Sequence, residues 1–382
     1  MNSHFRDLLR LAAISALLTI AGCKAGIDTS GEDDPNDPDN PDPTIEHYIG
    51  PASNFWLLEL EDGSDFEFKE YVTINGTRHS RVTGDYEVLD SEFSLFTVTS
   101  SDGDSPAQTN SELPAIAVDD DLLFVHSWFS SGQLLPLVRR GECPSTTFTA
   151  NWIELTTASD HFANGEAAFF GRFEYDPTAK ELTVPQSYAL IDEFAEQDVP
   201  DPVELDTCTE SVARDGDTQA YFGINNTALV YQNIGTPQQR IWLGLPQEKI
   251  SSDDFDGDYI GFWIDNGRVA NARLWNVSMS CTDFDCTVEQ EIDIENLSTV
   301  GTQTFAIDLT QDTDEGTLDS PIDGFVTGTF TTNLAASGVF NHPIACSASD
   351  DFLATGDKAL ICVGQSANNF QRTVVGVFVA KD

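Results

Sequence analysis

The sequence predicts an all-β protein with two β-rich domains, the C-terminal one an eight-stranded antiparallel barrel. A β-sandwich is the alternative arrangement for that domain. Three observations predict this class. Alternating, β-branched and aromatic runs recur through residues 47–382, separated by clusters of Gly, Asp, Asn and Ser. Helical periodicity is scarce, with Ser187 to Glu196 the best short candidate. After Leu245-Pro246-Gln247-Glu248 the strand-like runs restart and continue regularly to the chain end.

The first element is a targeting segment, expected over residues 1–22. Arg6 and Arg10 supply a positive end, and Leu8 to Ile20 an apolar stretch. That stretch is shorter than the roughly 18 apolar residues a spanning helix needs, and no later segment reaches that length. It ends Leu18-Thr19-Ile20-Ala21-Gly22-Cys23, which resembles the lipobox of bacterial lipoproteins: an aliphatic residue, two small ones, then cysteine. The resemblance implies cleavage before Cys23 and lipidation of its thiol. More than one acyl chain suits stable anchoring, because a single chain holds only marginally. Lys24 follows, rather than the aspartate associated with inner-membrane retention, so the expected location is the outer membrane.

Residues 23–46 read as a tether. Asp33-Asp34-Pro35-Asn36-Asp37-Pro38-Asp39-Asn40-Pro41-Asp42-Pro43 combines like charges with proline, which lacks the N–H that helices and ladders need. An extended acidic spacer is expected. The alternating prolines keep these aspartates from wrapping one calcium ion.

The next element is an N-terminal β-rich domain over 47–248. Its clearest strand candidates are Phe55–Leu60, Phe66–Ile74, Arg81–Leu89, Phe93–Thr99, Leu122–Trp128, Thr147–Leu155, Ala167–Tyr175 and Ala228–Tyr231. The 336 residues after the tether exceed what one hydrophobic core usually serves, hence two domains.

The last element, 249–382, offers Asp258–Ile264, Arg268–Ser280, Thr287–Ile294, Gln303–Leu309, Gly324–Thr332, Gly338–Asn341, Ala359–Val363 and Thr373–Ala380. About eight strands suit a closed up-and-down barrel, and closure removes the exposed edges of a sheet. In the first of them Ile260, Phe262 and Ile264 share one face while Tyr259, Gly261 and Trp263 share the other. Two apolar faces fit a wall packed inside and covered in part outside. A membrane-spanning barrel fits poorly, since the outward faces carry Thr, Asn, Asp and Glu.

The formal charge is −46, and removing the three basic and nine acidic residues of 1–46 leaves a body of about −40. Such a field opposes nucleic acid and anionic lipid. It suits solvation in salt, cationic partners or divalent metal. Six cysteines follow Cys23, an even number that reads as disulfides in an exported chain. The simplest pairing is Cys281–Cys286, Cys346–Cys362 and Cys143–Cys208. No Cys-x-x-Cys or matched histidine pair points to zinc or thiol redox chemistry.

The closing stretch carries a second resemblance. Gly324-Phe325-Val326-Thr327-Gly328-Thr329-Phe330, Ala335-Ala336-Ser337-Gly338-Val339-Phe340 and the terminal Val374-Val375-Gly376-Val377-Phe378-Val379-Ala380-Lys381 are similar to the closing barrel strands of transferrin-binding protein B-like surface lipoproteins. The resemblance covers about 60 residues and implies a surface lipoprotein that captures another molecule. It transfers no ligand-contacting residue. The family's two handle–barrel lobes and few cysteines differ from this chain.

No Gly-x-Ser-x-Gly elbow, His-Glu-x-x-His, phosphate loop or dinucleotide fingerprint occurs. The histidines beyond the signal are His47, His79, His126, His161 and His342, and His126 reads as a packed strand residue. Trp56, Trp128, Trp152, Trp242, Trp263 and Trp275 fall mostly inside strand patterns, where core packing is the common role, although tryptophan also stacks on sugars. Two acidic loops with a glycine turn carry a structural calcium expectation: Asp253, Asp256 and Asp258, and Asp312, Asp314 and Asp319. Both lack the closing glutamate of an EF-hand, and a solvated turn is the competing reading. No other cofactor is expected. The reading is a lipid-anchored envelope protein that binds or adheres rather than catalyses, partnered by the membrane and by a protein or glycan ligand. A polysaccharide hydrolase using a carboxylate pair in the N-terminal domain is one alternative. A structural lipoprotein of an envelope assembly is the other.

Overall fold

The computed structural model describes residues 45–51, 55–61, 65–71, 78–89, 93–103, 109–118, 121–126, 134–155, 168–190, 194, 196–232, 240–246, 256–265, 273–283, 285–293, 300–311, 324–334, 338–349, 358–365 and 373–381. They carry strands and turns and no helix, and Thr44–Asp382 forms one compact unit. The fold is all-β.

The first eight strands are β1 (Ile45–Pro51), β2 (Phe55–Glu61), β3 (Asp65–Tyr71), β4 (Arg78–Val88), β5 (Phe93–Gly103), β6 (Glu112–Val118), β7 (Leu122–His126) and β8 (Leu134–Arg139). Each pairs with the next, and β8 returns to β1 with Val138 opposite Ile49, closing a barrel. Alternation follows the strand period. Tyr48, Leu58, Phe68, Val82 and Phe96 face the interior, where Phe66 meets Phe96 edge-on at 5.0 Å. On the outer face Glu59 and Glu67 alternate with Lys69 and Arg81 across β2, β3 and β4 as a ladder of ion pairs. Burial would raise the Glu67 carboxyl, but the Arg81 hydrogen bond and the Lys69 charge outweigh it and hold it below the ordinary range.

The middle sheet contains β9 (Phe148–Glu154), β10 (Phe169–Asp176), β11 (Glu181–Ala189), β12 (Val203–Glu204), β13 (Val212–Asp215), β14 (Thr218–Phe222), β15 (Ala228–Gln232) and β16 (Arg240–Leu245). Its spatial order is β12-β11-β10-β9-β16-β15-β14-β13. The sheet curls on itself, because Phe222 of β14 meets Tyr175 of β10 at 4.9 Å and Phe148 of β9 at 5.5 Å across the concavity. No ladder joins β12 to β13. The Asp206 N–H donating to Arg214 O at 2.7 Å spans that gap instead.

The last eight are β17 (Gly257–Asp265), β18 (Arg273–Thr282), β19 (Asp285–Asp293), β20 (Val300–Gln311), β21 (Phe325–Leu334), β22 (Gly338–Ser349), β23 (Ala359–Gln365) and β24 (Thr373–Ala380). They form the expected eight-stranded antiparallel barrel, closed by β17 against β24 with Tyr259 opposite Ala380. Tyr259 and Trp263 point inward, while Phe262 points outward and is still fully buried. An added Cβ at Gly376 would lie 2.9 Å from Trp263 Cε3, so the bare backbone there gives the indole its place.

One apolar core joins the three sheets. Ile49, Ile116, Phe124 and Val138 from the first barrel's outer wall enter it, with Ile153, Phe170, Tyr188 and Leu243 from the middle sheet. Phe262, Phe325, Ile361 and Val377 enter it from the second barrel's outer wall. Fully burying each such apolar side chain contributes on the order of 1.5–3 kcal/mol. Outside this contact Ser278, Ser280, Thr287, Glu289 and Asp308 of β18, β19 and β20 are exposed, so this part of the barrel wall faces solvent.

The short helix expected over Ser187–Glu196 is corrected by the structure. Ser187–Ala189 ends β11, Phe194 takes a left-handed φ of 61°, and Glu196 bridges back to Tyr188. Tyr188 and Leu190 share one face and bury it in the joint core, a spacing of two that only extended chain satisfies. The expected division at 248/249 falls between β16 and β17, and the stretch 47–248 holds both the first barrel and the middle sheet.

Candidate functional site

The concave interior of the middle sheet is lined mainly by apolar side chains, and its polar groups gather at one end. Two mirror-image triplets place them. Trp152-Ile153-Glu154 ends β9 and Arg240-Ile241-Trp242 begins β16, so the outer members of each share a strand face. Antiparallel pairing sets Trp242 opposite Glu154 and Trp152 opposite Gly244. The two indoles stack with centroids 4.4 Å apart and an interplanar angle of 26°. Deeper in, an added Cβ at Gly244 would lie 2.7 Å from the Phe173 ring, so the glycine lets that ring close the floor.

Both indole N–H groups are buried and have no hydrogen-bond partner among the described residues. Leaving such a donor unmet costs about 1–3 kcal/mol each. The Glu154 side chain is wholly buried: Oε2 accepts from the Phe169 N–H at 3.1 Å, and Oε1 faces Arg240 Nε at 3.9 Å. That separation is ion-pair range but beyond hydrogen-bond range. Arg240, 23% exposed, lies over the Phe169 ring at 5.0 Å. Half-buried Gln232 sits opposite Arg240 on β15. The cluster therefore brings together two buried indole donors, a buried carboxylate and a partly exposed guanidinium over an aromatic ring.

The expected disulfide cysteines lie elsewhere. Cys143–Cys208 ties the segment after the first barrel to the loop between β12 and β13. Cys281–Cys286 and Cys346–Cys362 are buried inside the second barrel as directly opposed cross-strand pairs. Of the calcium candidates, Asp256 Oδ1 accepts the Asp283 N–H at 2.8 Å and Asp258 lies in β17. Asp253, Asp312, Asp314 and Asp319 lie outside the described residues, as does Cys23. Among the described residues no three His, Cys, Asp or Glu side chains converge as a metal site.

His342 is buried in the second barrel against Phe330 at 4.8 Å, and His47 faces Glu59 at 3.5 Å on the first barrel's surface. His126 and His79 fall in β7 and β4, and His161 lies outside the described residues. Of the tryptophans, Trp152, Trp242 and Trp263 are buried. Sequence reasoning named Trp152 and Trp242 among six tryptophans that pack in strands or stack on sugars, and it did not single out Glu154, Arg240 or Phe169. The signal was the pair of triplets, each joining an indole to an ionisable group at a spacing of two. Their adjacency is set by tertiary pairing alone.

No protein-family model matches the sequence, and no curated protein matches it. Among solved structures the chain is similar to a mutant of the vaccine antigen transferrin-binding protein B from Haemophilus parasuis Hp5, with 11% identity and a TM-score of 0.26, covering 88% of this chain and 66% of that one. It is also similar to a protein of unknown function from the DUF3598 family of Nostoc punctiforme, with 7% identity and a TM-score of 0.24, covering 62% of this chain and 96% of that one. The chain thus spans 66% of the length of the transferrin-binding protein B structure, and both likenesses are low in identity and TM-score.

Proposed function

We propose that this chain is a lipid-anchored, non-enzymatic binding protein of the outer-membrane surface, with a β-barrel body that captures a ligand. The observation that carries the reading is the order of parts: a lipobox ending at Cys23, an acidic Asp/Pro run ending at Pro43, then β1 from Ile45. Cys23 supplies the attachment point, and the prolines and like charges stiffen the spacer. At about 3.1 Å per residue, an extended spacer of this kind holds the body tens of ångströms from the bilayer. A body carrying about −40 stays solvated there and is repelled by anionic headgroups.

Metabolic labelling with an alkyne fatty acid tests the anchor. Label and outer-membrane fractionation are expected in the parent and absent in Cys23→Ala. Capture is tested by immobilising the oxidised full mature chain and exposing it to outer-membrane extract and to spent medium, with calcium and again with chelator. Specific retention of one protein or glycan is expected. An unlabelled parent, or a chain that retains nothing from either source, overturns the reading. Loss of retention in chelator alone would make the acidic loops part of the site.

A further inference from the structure

The three disulfides differ in their access to solvent. Cys281–Cys286 and Cys346–Cys362 lie inside the second barrel, where each of the four residues is 3% exposed or less. Cys143 and Cys208 are half-buried, and their neighbours Glu142, Ser145, Thr207 and Thr209 are exposed. A thiol exchanges only with a disulfide that it can reach, so access sets Cys143–Cys208 apart from the other two.

The accessible bond also sits where the middle sheet is least held. β12 pairs with β11 through Val203 and Glu204, β13 pairs with β14, and no ladder joins β12 to β13. The Asp206 N–H donating to Arg214 O at 2.7 Å crosses that seam, and Thr209 and Val212 exchange backbone hydrogen bonds at 2.9 and 3.0 Å in the turn beyond it. The Ser211 hydroxyl donates to Gly141 O and Arg140 faces Glu210 at 3.7 Å, so the segment after the first barrel lies against this turn. Of residues 206–210, Cys208 is the one that packs on the apolar interior holding Leu205, Phe222 and Tyr175. Backbone hydrogen bonds beside solvent exchange readily with water, which leaves the covalent bond as the main tie across the seam.

We infer that Cys143–Cys208 is a redox clasp: a dithiol reductant opens it while the body stays folded and the barrel disulfides stay oxidised, and its opening releases the β12–β13 seam. One thiolate of the reductant attacks one sulfur, and the other sulfur leaves as a thiolate and takes up a proton. The second thiol then resolves the mixed disulfide. Two electrons and two protons pass to Cys143 and Cys208, and the reductant is left as a disulfide. Losing a cross-link between residues 65 apart returns conformational freedom to the chain, and the seam yields first because least else holds it. The clasp stands apart from ligand capture, since it needs only a dithiol partner.

The test uses the oxidised full mature chain in detergent under native conditions. It is titrated with dithiothreitol and trapped with N-ethylmaleimide. Each cysteine is then read by peptide mass spectrometry, with hydrogen exchange followed in parallel. Cys143 and Cys208 are expected to alkylate together at reductant levels that leave Cys281, Cys286, Cys346 and Cys362 unmodified until urea is added. Exchange across 203–215 should rise roughly tenfold or more, while 257–265 and 359–365 keep their protection. Reoxidation should restore the slow exchange. Cys143→Ser/Cys208→Ser should show the raised exchange without reductant and no further change with it. Equal alkylation of all three pairs, no alkylation short of unfolding, or unchanged exchange across 203–215 after reduction overturns the inference. So does loss of near-ultraviolet dichroism on reduction, or a double variant that does not fold, since either would show the whole body failing rather than one seam.

Discussion

Phe93 of the first barrel and Phe262 of the second meet edge to face, with ring centroids 5.3 Å apart. The contact joins two barrels whose strands are closed separately, and it lies at the margin of the core that also holds the middle sheet. Three sheets that share one apolar core lose contacts together. Phe262→Ala is therefore expected to destabilise the whole body by about 3–5 kcal/mol. Urea unfolding followed by tryptophan emission and by near-ultraviolet circular dichroism should show one coincident transition at lower midpoint. Two separated transitions would show that the barrels unfold independently.

Ser347 is buried on the second barrel's outer wall, opposite Phe325 and Ile361, and its hydroxyl has no hydrogen-bond partner among the described residues. A buried hydroxyl without a partner costs free energy, so Ser347→Ala is expected to leave stability unchanged or to raise it by about 1 kcal/mol. A drop of similar size in chemical denaturation would contradict this.

The three disulfides close loops of very different length. Cys143 and Cys208 are 65 residues apart, whereas Cys281 and Cys286 are 5 apart. Chain-entropy reasoning assigns the longer loop about 4 kcal/mol and the shorter about 2. The double variant Cys143→Ala/Cys208→Ala should therefore lose more stability than Cys281→Ala/Cys286→Ala, and it also frees the β12–β13 edge. Thermal melts of the two oxidised variants decide it, and the reverse order would refute the ranking.

Alkaline pH should unfold the body through its buried tyrosines. Burial pushes the Tyr231 hydroxyl up to about 12, and burial raises Tyr221 and Tyr259 further still. A folded pKa above the unfolded value means stability that is full below about pH 10 and declines as pH rises through about 12. Tyrosinate absorbance from these side chains should appear only together with loss of near-ultraviolet dichroism. Titration of all eight tyrosines near pH 10 in a still-folded protein would exclude the claim.

Three of the strands absent from the sequence pattern share a cause. β6, β8 and β11 contain Pro114, Pro136 and Pro185, and proline normally argues against a strand. Pro114 lies one residue before the ladder to β7 begins at Ala115, and Pro185 lies in a bulge, where a missing N–H is tolerated. Pro343 likewise precedes the ladder to β23, so β22 runs on to Ser349, beyond Asn341 where the sequence pattern ends. These positions depend on which neighbour is absent, and that information is not local.

The sequence by itself determined the strand content, the eight strands of the second barrel and the two-sided apolar character of β17. Each follows from a period of two along a short segment. Only the tertiary structure decided that residues 47–248 fold as a closed barrel followed by a curled sheet, and that both barrels pack their outer walls on that sheet. It alone brought Glu154 of β9 beside Arg240 of β16, which are 86 residues apart in the chain. The period of two says which face a side chain takes but not which strand lies alongside. That choice is made by burial of the joint core, to which Ile153 and Leu243 commit the opposite face of the same two strands.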